Sequence, residues 1–138
     1  MTLRKALMIS IAFSVWFAFS PAFGANFTGV PRIVDGDTLA IGSTKIRLEG
    51  IDAPETDQVC LNANGAHWTC GIEARDQLAA HIAGRKITCS SNGVDAYRRT
   101  LAICYLANEN LNGWLVQQGW GTRTERKNLL RFSNFYVC

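Results

Sequence analysis

From Arg47 to Glu55 the chain reads Arg-Leu-Glu-Gly-Ile-Asp-Ala-Pro-Glu, delivering an arginine and the carboxylates Asp52 and Glu55 from the end of one apolar strand. Chemistry at phosphorus needs that mixture. Carboxylates hold a divalent cation or take a proton from water, and a guanidinium clamps the charge that builds on phosphoryl oxygens. Arg47 lies between Ile46 and Leu48, so strand alternation turns it to the polar face while its neighbours point inward. Asp37 closes the turn Asp35-Gly36-Asp37 at another strand boundary. If Asp37 and Asp52 meet at one end of a sheet, they make a hard oxygen site suited to calcium or another divalent ion. Glu55 is then the candidate general base toward a water aimed at phosphorus. Each residue also has a plainer reading: Asp37 as a turn residue accepting backbone hydrogen bonds, Glu55 as a solvated loop acid, and Arg47 in a weak surface ion pair with Glu49 or another acid.

A complementary set follows at Asp95-Ala96-Tyr97-Arg98-Arg99. One arginine there can form paired hydrogen bonds to a phosphate, and Tyr97 can stack on a base or sugar. Alternation sends Arg98 and Arg99 in different directions, so at most one is expected to share a site with Arg47. The plainer reading is a solvated basic rim.

The elements that must position these groups can be read from the spacing. Phe27 to Val34 reads as a first strand, with Pro31 marking an edge or bulge because it cannot donate to a ladder. Thr38 to Ile41 and Lys45 to Ile51 are the next two strands, joined by the compact turn Gly42-Ser43. Pro54 forces an exit from the sheet, and a loop runs to about Cys70. From Gly71 the period changes to helical: Ile72, Leu78, Ala79 and Ile82 form an expected apolar stripe, with Gly84 as the stop. Lys86 to Ser90 and Thr100 to Leu106 read as a second hairpin, separated by an Asn92-Gly93 turn and the polar segment Asp95 to Arg99, and Asn110 as the cap of a second helix that closes at Gly119. Five antiparallel strands in so small a chain are expected to curl into a partly open barrel, which removes exposed edges.

The outer limits come from the whole chain. Arg4 and Lys5 precede an apolar run from Ala6 to Phe19, and Ala22-Phe23-Gly24 offers a small-residue cleavage site, so residues 1–24 read as a signal peptide and 25–138 as one domain. The apolar run is shorter than the roughly 20 residues of a membrane span, and no stable membrane association is expected after cleavage. Five cysteines, Cys60, Cys70, Cys89, Cys104 and Cys138, all follow the signal and point to an oxidising compartment with one thiol left over. Cys60 and Cys70 bracket a polar loop, and Cys89 and Cys104 face each other across the second hairpin, giving the expected pairs 60–70 and 89–104. Zinc is the weaker alternative, because no second sulfur lies two to four residues from any cysteine and His67 and His81 lack a matching pair. Without the signal the chain is nearly neutral, which excludes a simple polybasic binder. Its charge is divided, however: residues 25–84 are mainly acidic and 85–138 mainly basic, an arrangement that could hold cations on one side and attract a polyanion on the other.

These motifs together resemble the staphylococcal nuclease, or thermonuclease, family from roughly Val30 to Trp120. The resemblance is carried by Val34-Asp35-Gly36-Asp37-Thr38, by the run from Ile46 to Glu55, by Gly71-Ile72-Glu73-Ala74, by the run from Asp95 to Ala102, and by that from Asn112 to Gly119, all in order. It implies a five-stranded oligonucleotide/oligosaccharide-binding (OB-fold) barrel that cleaves DNA and RNA with calcium. Asp37 and Asp52 would be calcium carboxylates with the carbonyl of Ala53 nearby, Glu55 the general base, Arg47 and Arg99 the phosphate clamps, and Tyr97 a nucleotide contact. Hydrolysis would break the bond to the 5′-oxygen and leave a 3′-phosphate, with broad sequence tolerance because the contacts are to the backbone.

Arg98 stands where the family pattern has glycine, and a positive φ there would cost about 1 kcal/mol. Ala96 replaces a residue that is often basic or polar. After Trp120 a short helix over 125–132 is expected in place of a long one, leaving the C-terminal helical region short or incomplete. Cys138 is expected as a free thiol or in an intermolecular bridge. The resulting expectation is a monomeric, secreted or periplasmic nuclease; the competing ones are a noncatalytic barrel that binds nucleic acid or protein, and an inactive truncated homologue.

Overall fold

The computed structural model describes residues 24–124. The expected signal peptide up to residue 23, the helix expected over 125–132 and Cys138 lie outside the described residues. In chain order the elements are β1 (Asn26–Gly29), β2 (Arg32–Asp35), β3 (Thr38–Ile41), β4 (Thr44–Leu48), β5 (Ile51–Asp52), β6 (Cys60–Leu61), β7 (His67–Trp68), α1 (Cys70–Ile82), β8 (Ile87–Val94), β9 (Thr100–Leu106), β10 (Glu109–Asn110), α2 (Leu111–Gln117) and β11 (Thr122–Arg123).

Pro31 decides how the sheet closes. It interrupts the first segment, so β1 and β2 are two halves of one bent run. β1 pairs with β8 and β2 pairs with β3, both antiparallel. The two halves therefore stand at opposite ends of the strand order β1-β8-β9-β4-β3-β2, and the sheet curls into a half-barrel of OB-fold type. The five expected strands are all present once the bent run is counted as one, with short β10 added against β9. The expectation that every pairing is antiparallel is corrected. β4 and β9 run parallel, Ile46 opposite Thr100 and Leu48 opposite Ala102. Parallel neighbours need a long crossover, and the segment containing α1 and β8 supplies it.

Alternation then sorts the residues. Leu39, Ile46 and Leu48 point inward against Ile87, Ala102 and Cys104, while Arg47 faces out. Truncating one of these fully buried leucines would cost about 2–5 kcal/mol. Helix α1 covers the core with Ala74, Leu78 and Ile82, spaced four apart so that each turns only about 40° from the last. Two members of the expected stripe are displaced by the same geometry: Ile72 is 37% exposed and Ala79 also faces solvent. The helix ends in Ala83, left-handed at φ 51°, whose N–H donates to Ala79 O, with Gly84 following at φ 70°. Asn110 caps α2 by accepting from the Gly113 N–H at 3.0 Å. His81 from α1 stacks on Trp114 from α2 at 3.9 Å and lies 2.6 Å from Glu109, joining the two helices.

Asn92-Gly93 is not the hairpin turn. β8 runs through it, and the register against β9 shifts between Ser91 and Gly93, a bulge at which Gly93 adopts φ 138°. The reversal comes later, at Asp95 to Arg99. Two disulfides are formed, Cys60–Cys70 across the loop that holds β6 and β7, and Cys89–Cys104 between directly opposed residues of β8 and β9. Such pairs fit an oxidising compartment, and closing a loop of about 15 residues stabilises a fold by about 3 kcal/mol in the chain-entropy account.

Candidate active site

Asp37 immediately precedes β3, is 1% exposed, and both of its carboxylate oxygens accept hydrogen bonds. Oδ1 accepts from the Thr38 hydroxyl at 2.9 Å and from Arg47 Nη1 at 2.6 Å, and Oδ2 accepts from the Ala53 N–H at 3.0 Å. Three donors make burial of a charge tolerable that would otherwise be costly. Register explains why Arg47 is there: Thr38 on β3 sits opposite Arg47 on β4. The other arm of the guanidinium, Nη2, donates to Asp52 Oδ1 at 2.9 Å. Arg47 thus spans the two aspartates, and Glu49, the other partner considered for it, accepts instead from Asn92 Nδ2 at 2.5 Å. Burial by itself would lower the Arg47 pKa; Asp37 and Asp52 outweigh it and hold the group above its ordinary value.

The strand that carries Asp52 is braced on its other edge. Thr122 of β11 pairs with Asp52, and Arg123 with Ile51. Gly121 lies so close that a Cβ there would stand 3.2 Å from Asp52 O. Buried Asn112 fixes the corner between β4 and β5 to β9, donating from Nδ2 to Glu49 O and Ala102 O and accepting from the Cys104 N–H.

Glu55 follows Pro54 on the exit loop and is exposed. Its pKa is raised, first by burial of part of the carboxyl and then by Asp35 and Asp37, against the pull of Arg47 and Arg99. Two acids and two guanidiniums thus act on the charge of Glu55. Asp35 holds the loop itself: its Oδ1 accepts from both the N–H and the hydroxyl of Thr56.

Arg99 comes from the turn between β8 and β9. Asp95 accepts from the N–H of Tyr97, from the N–H of Arg99 and, through Oδ2, from Arg99 Nε at 2.7 Å, so one carboxylate both shapes the turn and aims the guanidinium. These hydrogen bonds hold its pKa below the ordinary range although its partial burial pulls the other way. The Arg99 guanidinium sits 5.5 Å from the ring centre of Tyr97, which is 81% exposed. Arg98 has φ 63°, the left-handed conformation expected of a glycine position, and points to solvent. Arg99 and Arg98 therefore differ: Arg99 is held by Asp95, and its charge is felt at Glu55.

Among the described residues no three His, Cys, Asp or Glu side chains are grouped as a ready cation shell. Asp37 and Asp52 nevertheless converge on one cationic group, the Arg47 guanidinium, and both offer hard oxygen donors. In charge and donor type they fit calcium, with backbone carbonyls and water to complete its usual six to eight ligands. Three contributors were not singled out from sequence: Asp35 and Thr56, which steady the Glu55 loop, and Asp95, which aims Arg99. An aspartate four residues before an arginine across a polar turn was the available signal for Asp95.

The staphylococcal nuclease homologue family model matches residues 45–132. The chain is 38% identical over 93 residues to the succinoglycan biosynthesis protein ExoI of Rhizobium meliloti, covering 66% of this chain and 49% of that one. It is 31% identical over 121 residues to an uncharacterized endonuclease of Haemophilus influenzae, covering 84% and 62%, and 31% identical over 96 residues to the thermonuclease of Staphylococcus hyicus, covering 65% and 54%. It spans about half to two thirds of the length of these relatives. With this match over most of its described barrel, the chain belongs to the staphylococcal nuclease homologue family.

Proposed function

We propose that this protein is a secreted or periplasmic, monomeric, calcium-dependent endonuclease, with residues 1–24 a signal peptide and 25–138 a single nuclease domain. It hydrolyses phosphodiester bonds of DNA and RNA and leaves 3′-phosphates. The observation that carries the reading is the Arg47 guanidinium spanning Asp37 and Asp52 at 2.6 and 2.9 Å, with Glu55 three residues beyond Asp52. Glu55 accepts a proton as water attacks phosphorus, and the bond to the 5′-oxygen breaks, the leaving oxygen taking a proton in turn. Arg47 exchanges one of its carboxylate partners for a phosphoryl oxygen, and Arg99, steadied through Nε by Asp95, offers its terminal N–H groups to another. Calcium, held by Asp37, Asp52 and the Ala53 carbonyl, would supply charge neutralisation and Lewis acidity at the phosphoryl group. Tyr97, exposed beside Arg99, stacks on a base or sugar.

The surrounding face supports a polyanionic substrate. Arg32 and Lys45 both lie opposite Ala40 in the registers of β2, β3 and β4, and both are exposed. Lys45 and Arg47, two apart on one strand, face the same side. Phosphate-directed contacts of this type favour nucleic acid without reading its sequence.

The test is release of acid-soluble nucleotides from DNA and RNA by the purified protein. Cleavage should require calcium, stop in chelator and give 3′-phosphate ends. Folded protein that binds nucleic acid and never cleaves it would overturn the proposal.

A further inference from the structure

The segment carrying Glu55 leaves the barrel at Pro54, holds the short β6–β7 pair and enters α1 at Cys70, and its backbone is pinned to the first turn of that helix. The Gln58 N–H donates to Glu55 O at 2.8 Å, and the Gly71 N–H donates to Gln58 O at 3.3 Å. Gly71 meets Glu55 itself at very short range: a Cβ at position 71 would stand 1.6 Å from Glu55 O and 2.5 Å from its carbonyl carbon. No side chain can occupy that space, so the glycine is what lets the Glu55 peptide rest on the helix. The covalent closure of the same arrangement is Cys60–Cys70, with Cα atoms 5.6 Å apart and Cys70 Sγ 3.5 Å from Gln58 O.

The two disulfides differ in access and in what they hold. Cys89 and Cys104 are completely buried between β8 and β9, inside the core. Cys60 is partly exposed at the rim of the Glu55 loop. A reductant in solution therefore meets the loop clip before it meets the core staple.

Resting on the nuclease reading, we propose that the Cys60–Cys70 disulfide and Gly71 are positioning residues for Glu55, so that opening this disulfide stops phosphodiester cleavage while the barrel stays folded. The opening is ordinary exchange with a small dithiol. One reductant thiolate attacks Cys60 Sγ and displaces the Cys70 thiolate; the second reductant thiol then displaces Cys60, and the reductant leaves as its own disulfide. Two electrons pass to the protein and two protons complete the cysteine thiols. The loop then loses its covalent closure, and Glu55 depends on Ala53 and Thr56 bound to Asp37 and Asp35, on the short β6–β7 pair and on hydrogen bonds to a helix end that is no longer tethered. Misplacing a catalytic group by about 1 Å costs about 100-fold in rate.

The experiment is graded reduction of the full chain by a dithiol, with alkylation and mass mapping to identify the state in which Cys60 and Cys70 are labelled and Cys89 and Cys104 are not. In that state kcat on long single-stranded DNA should fall about 10- to 100-fold while KM stays within about twofold, and reoxidation should restore it. Amide exchange at Thr56, Gln58 and Gly71 should accelerate at least about tenfold, with β3, β4 and β9 unchanged. A Cys60→Ser/Cys70→Ser variant should show the low kcat without reductant and no response to it. Unchanged kcat in the mapped state, or unchanged exchange at the three amides, overturns the positioning role. Oxidised protein that does not cleave defeats the nuclease reading alone, and the exchange measurement still decides the clip.

Discussion

Arg47 and Arg99 both act on the charge of Glu55, and they are held in opposite ways. Arg47 rises from near the end of β4, its partner Asp37 is buried, and the neighbouring corner is locked by Asn112 and β11. Arg99 stands at the entrance of β9 on a turn whose geometry depends on one carboxylate, Asp95. On the barrel side the residues that would do chemistry also hold the fold. On the hairpin side they are aimed by local hydrogen bonds and can be altered with little consequence for the core. The site is thus built half from architecture and half from a replaceable turn.

The largest expected effect breaks the barrel side. Asp37→Ala leaves the Arg47 guanidinium partly buried and facing one carboxylate where it had two, and removing one partner of such a pair costs about 3–5 kcal/mol. Thermal unfolding should show a fall in Tm well beyond 10 °C, about 4–8 °C per kcal/mol for a domain of this size, together with loss of cleavage. A Tm shift no larger than that of Asp95→Ala would erase the contrast between the two halves. Asp95→Ala itself should lower kcat/KM about 10- to 100-fold, because Arg99 loses its aim, while the cooperative unfolding transition persists.

A smaller effect sharpens the hairpin side. Arg98 holds a left-handed φ that glycine adopts without strain, so Arg98→Gly should raise stability by about 1 kcal/mol in denaturant melts, with cleavage retained. Unchanged stability would mean that the turn is relaxed around arginine.

The smallest effect separates the two carboxylates by pH. Asp95 has a lowered folded pKa, so its stabilisation is complete above its unfolded value and is lost as pH falls through the folded one. Glu55 has a raised folded pKa, so its stabilisation is present below its unfolded value and is lost as pH rises through the folded one. Melting temperatures measured against pH should show the penalty of Asp95→Asn shrinking in acid. The acid limb of kcat should lie above the ordinary glutamate range, since Glu55 must be ionised to accept a proton.

Much of this arrangement was legible in the sequence wherever local rules decide it. Alternation around Arg47 gave its face, the polar interval between Cys60 and Cys70 gave that pairing, and Asn110 followed by an apolar run gave the start of α2. What the sequence did not disclose depends on partners far along the chain. Ile72 and Ala79 have the right chemistry for a buried stripe, but α1 presents Ala74 to Gly36 and so turns them outward. Asn92-Gly93 has the composition of a turn, yet the ladder with β9 continues through it and uses Gly93 for a bulge. The parallel pairing of β4 with β9 and the bracing of Asp52 by β11 join residues dozens of positions apart, and no local pattern announces them.

The most direct test of the site is kcat of Glu55→Gln, a change that preserves shape and removes the base. With calcium and long single-stranded DNA, kcat should fall about 100- to 10,000-fold, with KM unchanged within about threefold and Tm at neutral pH equal to or above that of the unaltered protein. A variant that keeps kcat within about threefold would contradict the assignment of Glu55 as the base and, with it, this account of the site.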